Sequence, residues 1–220
     1  MRTIAHITED IIKRSPYLQE GMSEGLINYS ALARKIKGDI DKKLYKHVTE
    51  AAIIMALRRL QQRLRTRPAS ASRHLKHIGE ITVRSHLVEY ALHNSPATSR
   101  LVQAITTRAQ RNDGFCNISQ GVSETSIILS ASLEPALKAI CKKPDLIKHL
   151  DHLASITIKF SSQTVDTPGV YYLILKALAW EGINFIEITS SYSELSIFFA
   201  EQDVDRAFSV IKQLTDSTVR

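Results

Sequence analysis

The sequence has little of what several large classes of protein require. Its two cysteines, Cys116 and Cys141, are far apart and lie in apolar surroundings, which argues against a disulfide framework and favours reduced thiols. It has no stretch near the about 18 uninterrupted apolar residues of a membrane span. Its first ten residues lack the apolar core of a secretory signal. We therefore expect a cytoplasmic protein.

Catalytic and cofactor motifs are also missing from the sequence. It has no glycine-rich phosphate loop and no nucleophile elbow, so we expect no catalytic residues and no cofactor. Two histidine groups have spacings that would suit metal ligands: His74 with His77, and His149 with Asp151 and His152. Each group falls in a basic or connecting stretch without a further partner, so we interpret them as solvated side chains and predict no metal site.

Positive charge is concentrated in the first third of the chain. The net charge is +7, and residues 1–80 hold 16 Lys and Arg against 8 Asp and Glu, whereas residues 81–220 hold 13 against 14. Such asymmetry favours a polyanion, or an acidic face of another protein, as the partner of the N-terminal part.

Residues 1–66 have the pattern of a basic helical domain. Ser15-Pro16 interrupts the first apolar stripe, and Asn28 or Ser30 is a candidate cap for a third helix. We expect a polar connection at residues 37–46, followed by a helix that begins near Thr49. The last helix carries an apolar stripe, with basic residues mostly off that stripe: Arg58, Arg59, Arg63 and Arg65.

Short helices of this kind, with GLINYSALARKI (residues 25–36) in the middle and a basic helix last, resemble a winged helix-turn-helix. The resemblance implies that the last helix enters a DNA major groove, with its four arginines as candidate nucleic-acid ligands. Two alternatives remain open, because short basic helical domains also act as dimerisation bundles and arginines opposite an apolar stripe often form a solvated face.

Residues 67–79 have the composition of a linker, and two similar patterns follow it. In the later one, alternation at Ile156–Phe160 predicts a strand, and Asp166-Thr167-Pro168-Gly169 predicts a turn that opens a helix. Two strands, Ile183–Thr189 and Leu195–Ala200, and an amphipathic helix come next. The same order occurs from residue 80 onward, which indicates a repeat of about 75 residues. We expect units at 80–148 and 149–220.

Four segments of the second unit carry a family resemblance: DTPGV (166–170), EGINFIEI (181–188), SELSIFF (193–199) and EQDVDRAFSVIKQL (201–214). Together they resemble an ACT domain, with the closest likeness to the regulatory half of aspartate kinases. In the first unit, NISQGVSETSIILSASLEPALKAI (117–140) resembles the first ACT unit of those enzymes. The resemblance implies an α+β fold, in which the helical N-terminal domain precedes two ferredoxin-like βαββαβ units.

The resemblance further implies that a free amino acid binds between ACT units. The positions that match the family's turn and second strand are Asp166, Pro168, Gly169, Val170, Ile183, Asn184, Phe185, Asn117, Ile118 and Gln120. The chemistry is suitable, because amide donors near Gly169 can receive a carboxylate and side-chain oxygens can accept from an ammonium group. The alternative is that the turn only joins a strand to a helix and that the units only pair with each other.

Two departures from the family limit the expected function. The Lys-Phe-Gly-Gly-Thr opening of the kinase domain is absent, and eighty helical residues are too few for that domain, so we do not expect aspartate kinase activity. Pro96-Ala97 stands where the family usually has Pro-Gly, which narrows the first turn. We expect a non-catalytic amino-acid sensor that forms a homodimer or larger homo-oligomer through its ACT units and controls transcription, or alternatively a regulatory partner of a biosynthetic enzyme.

Overall fold

The computed structural model describes residues 3–66, 78–141 and 146–216, and it divides the chain into two compact units, Met1–Ser70 and Ala71–Arg220. Most of the predicted linker, residues 67–77, lies outside the described residues. The last two residues of that linker, Ile78 and Gly79, already belong to the first strand of the second unit. No helix among the described residues is long and apolar enough to cross a membrane.

The described part of the N-terminal unit consists of four helices. They are α1 (Ile4–Lys13), α2 (Pro16–Ser23), α3 (Tyr29–Leu44) and α4 (Glu50–Thr66). Side chains at their starts satisfy free amides: Asn28 Oδ1 accepts from two backbone N–H groups of α3, and Thr49 Oγ1 accepts from the N–H of Ala52 at 3.3 Å. Pro16 occupies the first position of α2, where no backbone donor is needed.

The predicted polar connection at residues 37–46 is wrong, because α3 continues to Leu44. The charged residues of this segment form the solvent side of the helix, while Ile40 is fully buried in line with Ile36. Lys37 and Asp41 form an ion pair four residues apart, with 2.5 Å between Nζ and Oδ2. Tyr45 caps the end of the helix with a left-handed backbone and a φ of 53°.

The four helices enclose one apolar core. The buried members of this core are Ile7, Ile12, Met22, Leu32, Ala33, Ile36, Ile40, Val48, Ile53, Leu57 and Leu60. The stripe predicted on α4 therefore faces inward. Since residues 3–66 include no strand, the wing of a winged helix-turn-helix is not among them.

A six-stranded antiparallel sheet forms the second unit. Its strands are β1 (Ile78–His93), β2 (Cys116–Gln120), β3 (Glu124–Ser130), β4 (Leu146–Phe160), β5 (Glu187–Ser190) and β6 (Glu194–Ala200), in the order β2-β3-β1-β4-β6-β5. The helices are α5 (Pro96–Arg111), α6 (Glu134–Ile140), α7 (Ser162–Val165), α8 (Val170–Trp180) and α9 (Val204–Asp216).

Two halves of this sheet repeat the same pattern. The first half runs β1-α5-β2-β3-α6, and the second runs β4-α8-β5-β6-α9 with the single turn α7 added before α8. The long strands β1 and β4 pair with each other at the centre of the sheet. We therefore describe one shared sheet of α+β type, in which each repeat supplies three strands.

One face of the sheet is covered by helices and the other is concave. Helices α5 and α6 cover a core that includes Leu92, Ile105 and Ile127, and α8 and α9 cover a second core around Ile156 and Ile197. The concave face has a smaller apolar cluster of buried residues: Leu87, Ile128, Leu153 and Phe198. The alternation along each strand separates these two faces.

Both central strands bend at a histidine. His86 and His152 have φ values of 55° and 52°, which are uncommon for any residue with a side chain, and the β1–β4 register shifts on both sides of Leu87. An extra residue of this kind bends a strand and increases its twist. Both positions lie in the two central strands of the sheet.

The predicted strand at Ile183–Thr189 begins too early. Gly182 ends α8 with a φ of 66°, and Ile183 then packs into the core under α8 rather than entering the sheet. Residues 184–186 connect this anchor to β5, which starts at Glu187.

Candidate functional site

The two end strands of the sheet, β2 and β5, meet across the concave face. Asn117 Nδ2 on β2 donates to Thr189 Oγ1 on β5 at 3.2 Å. Close by, Ser126 Oγ on β3 donates to Glu187 Oε2 on β5 at 2.5 Å. We call this contact between the first and the second repeat the seam.

A cleft of about 350 Å³ opens at the seam. We call it the seam cleft, and its lining residues are Asn117, Ile118, Ser119, Ile188, Thr189, Ser190, Ser191, Glu194 and Ser196. Both repeats contribute to it. The lining contains five hydroxyl groups, one amide and one carboxylate, and no basic side chain.

The seam cleft can offer both hydrogen-bond donors and acceptors to a small polar molecule. Serine and threonine hydroxyls act in either role, and the Asn117 amide supplies both. The strands β2 and β5 occupy the two ends of the strand order, so one edge of each has no strand paired to it among the described residues. Backbone N–H and C=O groups on such edges can pair with an incoming extended group.

The predicted residues of the first repeat divide between the cleft and the surface. Asn117 and Ile118 line the seam cleft, although Ile118 also packs against the core under α5. Gln120, at the end of β2, is exposed and is not one of the lining residues. Asn117 Oδ1 is buried without a hydrogen-bond partner, so this amide has unused capacity at the cleft.

The predicted turn of the second repeat lies at the start of α8. Asp166, Pro168 and Gly169 are exposed, Val170 is buried, and Gly169 caps the helix with a φ of 93°. A side chain at such a φ would be strained, so glycine allows the chain to enter α8 at this point.

The predicted residues after α8 lie at the opposite end of that helix. Ile183 is buried, whereas Asn184 and Phe185 are exposed. The 11 residues of α8 span about 16 Å, so one amino acid cannot touch the Gly169 turn and Asn184 within the same repeat.

Sequence analysis does not identify most of the seam cleft. Its residues on β5 and β6, such as Thr189 and Ser196, follow the predicted turn of the second unit by about twenty residues or more. A usable signal is the alternation shared by the two short strands, which places Asn117 and Ser119 on one face of β2 and Glu187 and Thr189 on the matching face of β5.

A second carboxylate lies behind the seam. Glu89 Oε1 on β1 is 3.2 Å from Ser126 Oγ, and Glu89 Oε2 is buried without a partner. Burial raises the pKa of Glu89, and the nearby Glu187 raises this pKa further, against smaller opposing effects of Ser126 and Lys148. Neither Glu89 nor Glu187 has a basic group within 4.0 Å among the described residues.

A separate polar cluster joins the two repeats on the helix-covered side of the sheet. Glu134 Oε1 accepts from Tyr90 Oη at 2.8 Å and lies 3.0 Å from His149 Nε2. Lys138, followed by Tyr90, lowers the pKa of Glu134, and burial raises the pKa of Tyr90. The cluster joins β1, β4 and α6, which suggests a structural role.

The described histidines do not assemble a metal site. His149 contacts Glu134, and His152 lies 3.9 Å from Glu201. No group of three or more His, Cys, Asp or Glu suited to a metal occurs among the described residues, and His74 and His77 lie outside them.

The four candidate arginines of α4 do not form one equivalent set. Arg58 and Arg59 are exposed, while Arg63 Nη2 is 2.9 Å from Glu9 Oε2 on α1. Lys13 and then Arg63 lower the pKa of Glu9. The side chain of Arg65 lies outside the described part of the chain. Arg59 and Lys46 also border a cleft of about 430 Å³ between α1 and α4.

Comparison with known proteins gives similarity in structure alone. No protein-family model and no curated protein matches the chain. The regulatory subunit of aspartate kinase from Thermus thermophilus is 14% identical with a TM-score of 0.50, over 63% of this chain and 98% of that chain. A structure of aspartokinase alpha and beta subunits is 16% identical with a TM-score of 0.52, over 65% of this chain and 98% of the matched chain.

The whole kinase from Clostridium acetobutylicum is also similar, with 16% identity and a TM-score of 0.51 over 63% of this chain, but the chain spans only 35% of that enzyme. The N-terminal unit, 70 of 220 residues, is too small to account for such coverage, so the similarity must include the six-stranded unit. That unit therefore has the fold of the regulatory domains of aspartate kinases.

Proposed function

We propose that the protein is a non-catalytic, amino-acid-sensing regulator built from two ACT-like, ferredoxin-related units, and that a free amino acid binds in the seam cleft. The observation that carries the proposal is that the end strands of both repeats border one polar cleft of about 350 Å³. A ligand there touches both repeats, so its binding free energy depends on how they are placed. Couplings of this type are typically about 1–3 kcal/mol.

The lining supports a zwitterionic ligand. Side-chain oxygens of Asn117, Thr189 and Glu194 can accept from an ammonium group. Backbone N–H groups on the outer edges of the end strands β2 and β5 could receive a carboxylate. The fold is that of regulatory domains, which supports the same function, although fold alone does not determine function.

The other predicted ligand residues fit a role between copies of the chain. The turn at Asp166–Gly169 and the exposed pair Asn184 and Phe185 lie at opposite ends of α8, so neither group completes a site within one repeat. We place any second amino-acid site at a contact between two copies, which requires a homodimer or larger homo-oligomer.

The N-terminal unit would transmit the signal. Its excess of positive charge and the exposed side chains of Arg58 and Arg59 support binding to DNA, and hence control of transcription. This output is separate from ligand binding and is tested separately.

A second candidate function is that of a regulatory partner for a biosynthetic enzyme. Helix α8 exposes an aromatic surface formed by Tyr171, Tyr172 and Trp180, the last of them 74% exposed, which suits a protein partner. The regulatory subunit of aspartate kinase from Thermus thermophilus has a similar fold, which supports this second candidate function. Co-purification with an enzyme, together with DNA-free protein, would favour this function.

Isothermal titration of the full chain with each of the common amino acids tests the sensor. We expect one or a few to bind, and Thr189→Val or Ser196→Ala to weaken binding about tenfold, as for the loss of a hydrogen bond. Ser99→Ala, an exposed serine on α5, is the matched control. Absence of binding by every amino acid, or equal loss in Ser99→Ala, would contradict the proposal.

An assay for ATP-dependent phosphorylation of aspartate tests whether the protein is non-catalytic, as proposed. We expect no activity above that of a boiled sample. Activity that survives further purification would show that the protein is an enzyme and would overturn the non-catalytic assignment.

A further inference from the structure

Three side chains behind the seam form a line from the first repeat to the second. Glu89 on β1, Ser126 on β3 and Glu187 on β5 are joined by contacts of 3.2 Å and 2.5 Å through the single oxygen of Ser126. The contact between Ser126 and Glu187 joins residues 61 positions apart in sequence, and it holds β5 against the first repeat.

The hydroxyl of Ser126 has only one hydrogen to donate. Ser126 can donate to Glu187 at 2.5 Å or to Glu89 at 3.2 Å, but not fully to both. When it donates across the shorter contact, the contact with Glu89 is a full hydrogen bond only if Glu89 carries a proton and donates it to Ser126 Oγ. The buried, unpartnered Oε2 atom agrees with a protonated Glu89, because an unpaired carbonyl oxygen is far less unfavourable than an unpaired charged carboxylate.

The charges around Glu89 favour the same state. Among the charged groups, Glu187 on β5 and Glu124 on β3 oppose ionisation of Glu89, and Lys148 on β4 favours it. A hydrogen bond from Ser126 also favours the ionised form, but that bond is lost when Ser126 donates its hydrogen to Glu187. Lys148 is exposed and forms no ion pair with Glu89 in the described structure, so water screens its effect. Burial acts in the same direction as the two carboxylates.

We infer that Glu89 is a positioning residue for the seam: its proton completes the line Glu89–Ser126–Glu187, and loss of that proton loosens β5 from the first repeat. The ionised Glu89 and Glu187 then compete for one hydrogen and repel each other. Strand β5 also carries Thr189, which lines the seam cleft. The protonation state of Glu89 therefore controls the width of the seam cleft. This last step rests on the proposed amino-acid site, whereas the effect on the seam does not.

The inference predicts a pH-dependent seam. Acid keeps the seam closed, and a rise in pH through the titration of Glu89 opens it. Glu89 has one titration midpoint in the closed seam and another in the open seam. For each pH unit between these two midpoints, the population ratio of open to closed seam changes by up to about tenfold.

Side-chain carboxyl NMR of the full chain, without any amino acid added, tests the titration. Glu89→Gln identifies the Glu89 signal by its disappearance, and Glu80→Gln, which changes an exposed glutamate on the same strand, is the control. We expect the Glu89 signal to titrate above the range of a model glutamate peptide. Titration within that range would overturn the inference.

Amide hydrogen exchange of residues 187–190, which form β5, tests the opening of the seam. Glu89→Gln and the natural chain are compared at the same pH. We expect equal protection at low pH and slower exchange in Glu89→Gln at high pH, since glutamine remains neutral and can still donate to Ser126 Oγ. Equal protection at every pH, or the same gain in Glu80→Gln, would contradict the inference.

The two proposals fail in different ways. If these NMR and exchange results hold but no amino acid binds in calorimetry, the seam is regulated as inferred and the sensor proposal is wrong. If amino acids bind while Glu89→Gln leaves exchange and titration unchanged, the sensor stands and the role of Glu89 is wrong.

Discussion

Asn117 and Thr189 lie 72 positions apart in the sequence, and their side chains meet with 3.2 Å between Nδ2 and Oγ1. Each belongs to an end strand of the sheet, and each lines the seam cleft. The pair therefore links the closure of the sheet to the site where we propose that a ligand binds.

Removal of either partner is expected to weaken the seam. Asn117→Ala and Thr189→Val should each lower the free energy of unfolding by about 1 kcal/mol, and a double-mutant cycle should show a coupling of about 0.5–1.5 kcal/mol because the two side chains share one hydrogen bond. Urea unfolding measures these values. Thr107→Val, on the exposed face of α5, is the control, and a coupling near zero would show that the contact does not hold the seam.

Much of the second unit is predictable from sequence because its strands alternate and its helices are amphipathic. The seam is not predictable in this way, because nothing in local periodicity brings Ser126 to Glu187 across 61 residues. Their hydrogen bond joins β3 and β5, which are not neighbours in the sheet. Asn117 is identified only through family resemblance. Its partner Thr189 lies in a predicted strand without a predicted role.

Two boundary errors have local causes. Residues 37–46 are predicted as a polar connection because most of them are charged or polar and face solvent. Ile36 and Ile40 nevertheless continue the buried stripe of α3 through this segment. The apolar Ile183 suggests the start of a strand, but it anchors the end of α8 in the core. In both places burial, rather than average polarity, determines the structure.

Stability should depend on pH through Glu89. Its folded pKa lies above its unfolded value of about 4.3, so the folded protein holds this proton more tightly. The favourable contribution is complete below that unfolded value and is lost as pH rises through the folded pKa. Glu89→Gln should therefore match the natural chain in acid and become relatively more stable as pH rises, until the difference levels off.

Urea unfolding at a series of pH values measures this difference. Glu80→Gln should change stability by the same small amount throughout, because Glu80 is exposed. A difference between Glu89→Gln and the natural chain that stays constant with pH would contradict the prediction.

The histidine bends should tolerate glycine better than a β-branched residue. His86 and His152 are exposed, so their replacement removes little buried surface, and the backbone φ dominates the outcome. His152→Val should lower the free energy of unfolding by about 1–2 kcal/mol, since valine is strained at positive φ. His152→Gly relieves that strain but adds freedom to the unfolded chain, so its net effect should be about 0.5 kcal/mol or less.

Thermal unfolding of the two variants gives the comparison. Lys159→Val places the same side chain at an exposed position of β4 that has no positive φ, and it should have little effect. Equal effects of His152→Val and His152→Gly would show that the bend does not require a left-handed residue.

If the N-terminal unit binds DNA, its arginines should contribute unequally. Arg58 and Arg59 are exposed and have no ion-pair partner among the described residues, whereas Arg63 is held by Glu9 at 2.9 Å. Arg58→Gln and Arg59→Gln should each reduce the slope of log affinity against log salt concentration by about 0.9 for every phosphate that the variant no longer neutralises. Arg63→Gln should change that slope little, because its charge is already matched by a carboxylate. Gel shifts at several salt concentrations measure these slopes. Lys212→Gln, in the six-stranded unit, is the control. An affinity for DNA that does not vary with salt would exclude phosphate binding as the output of the N-terminal unit.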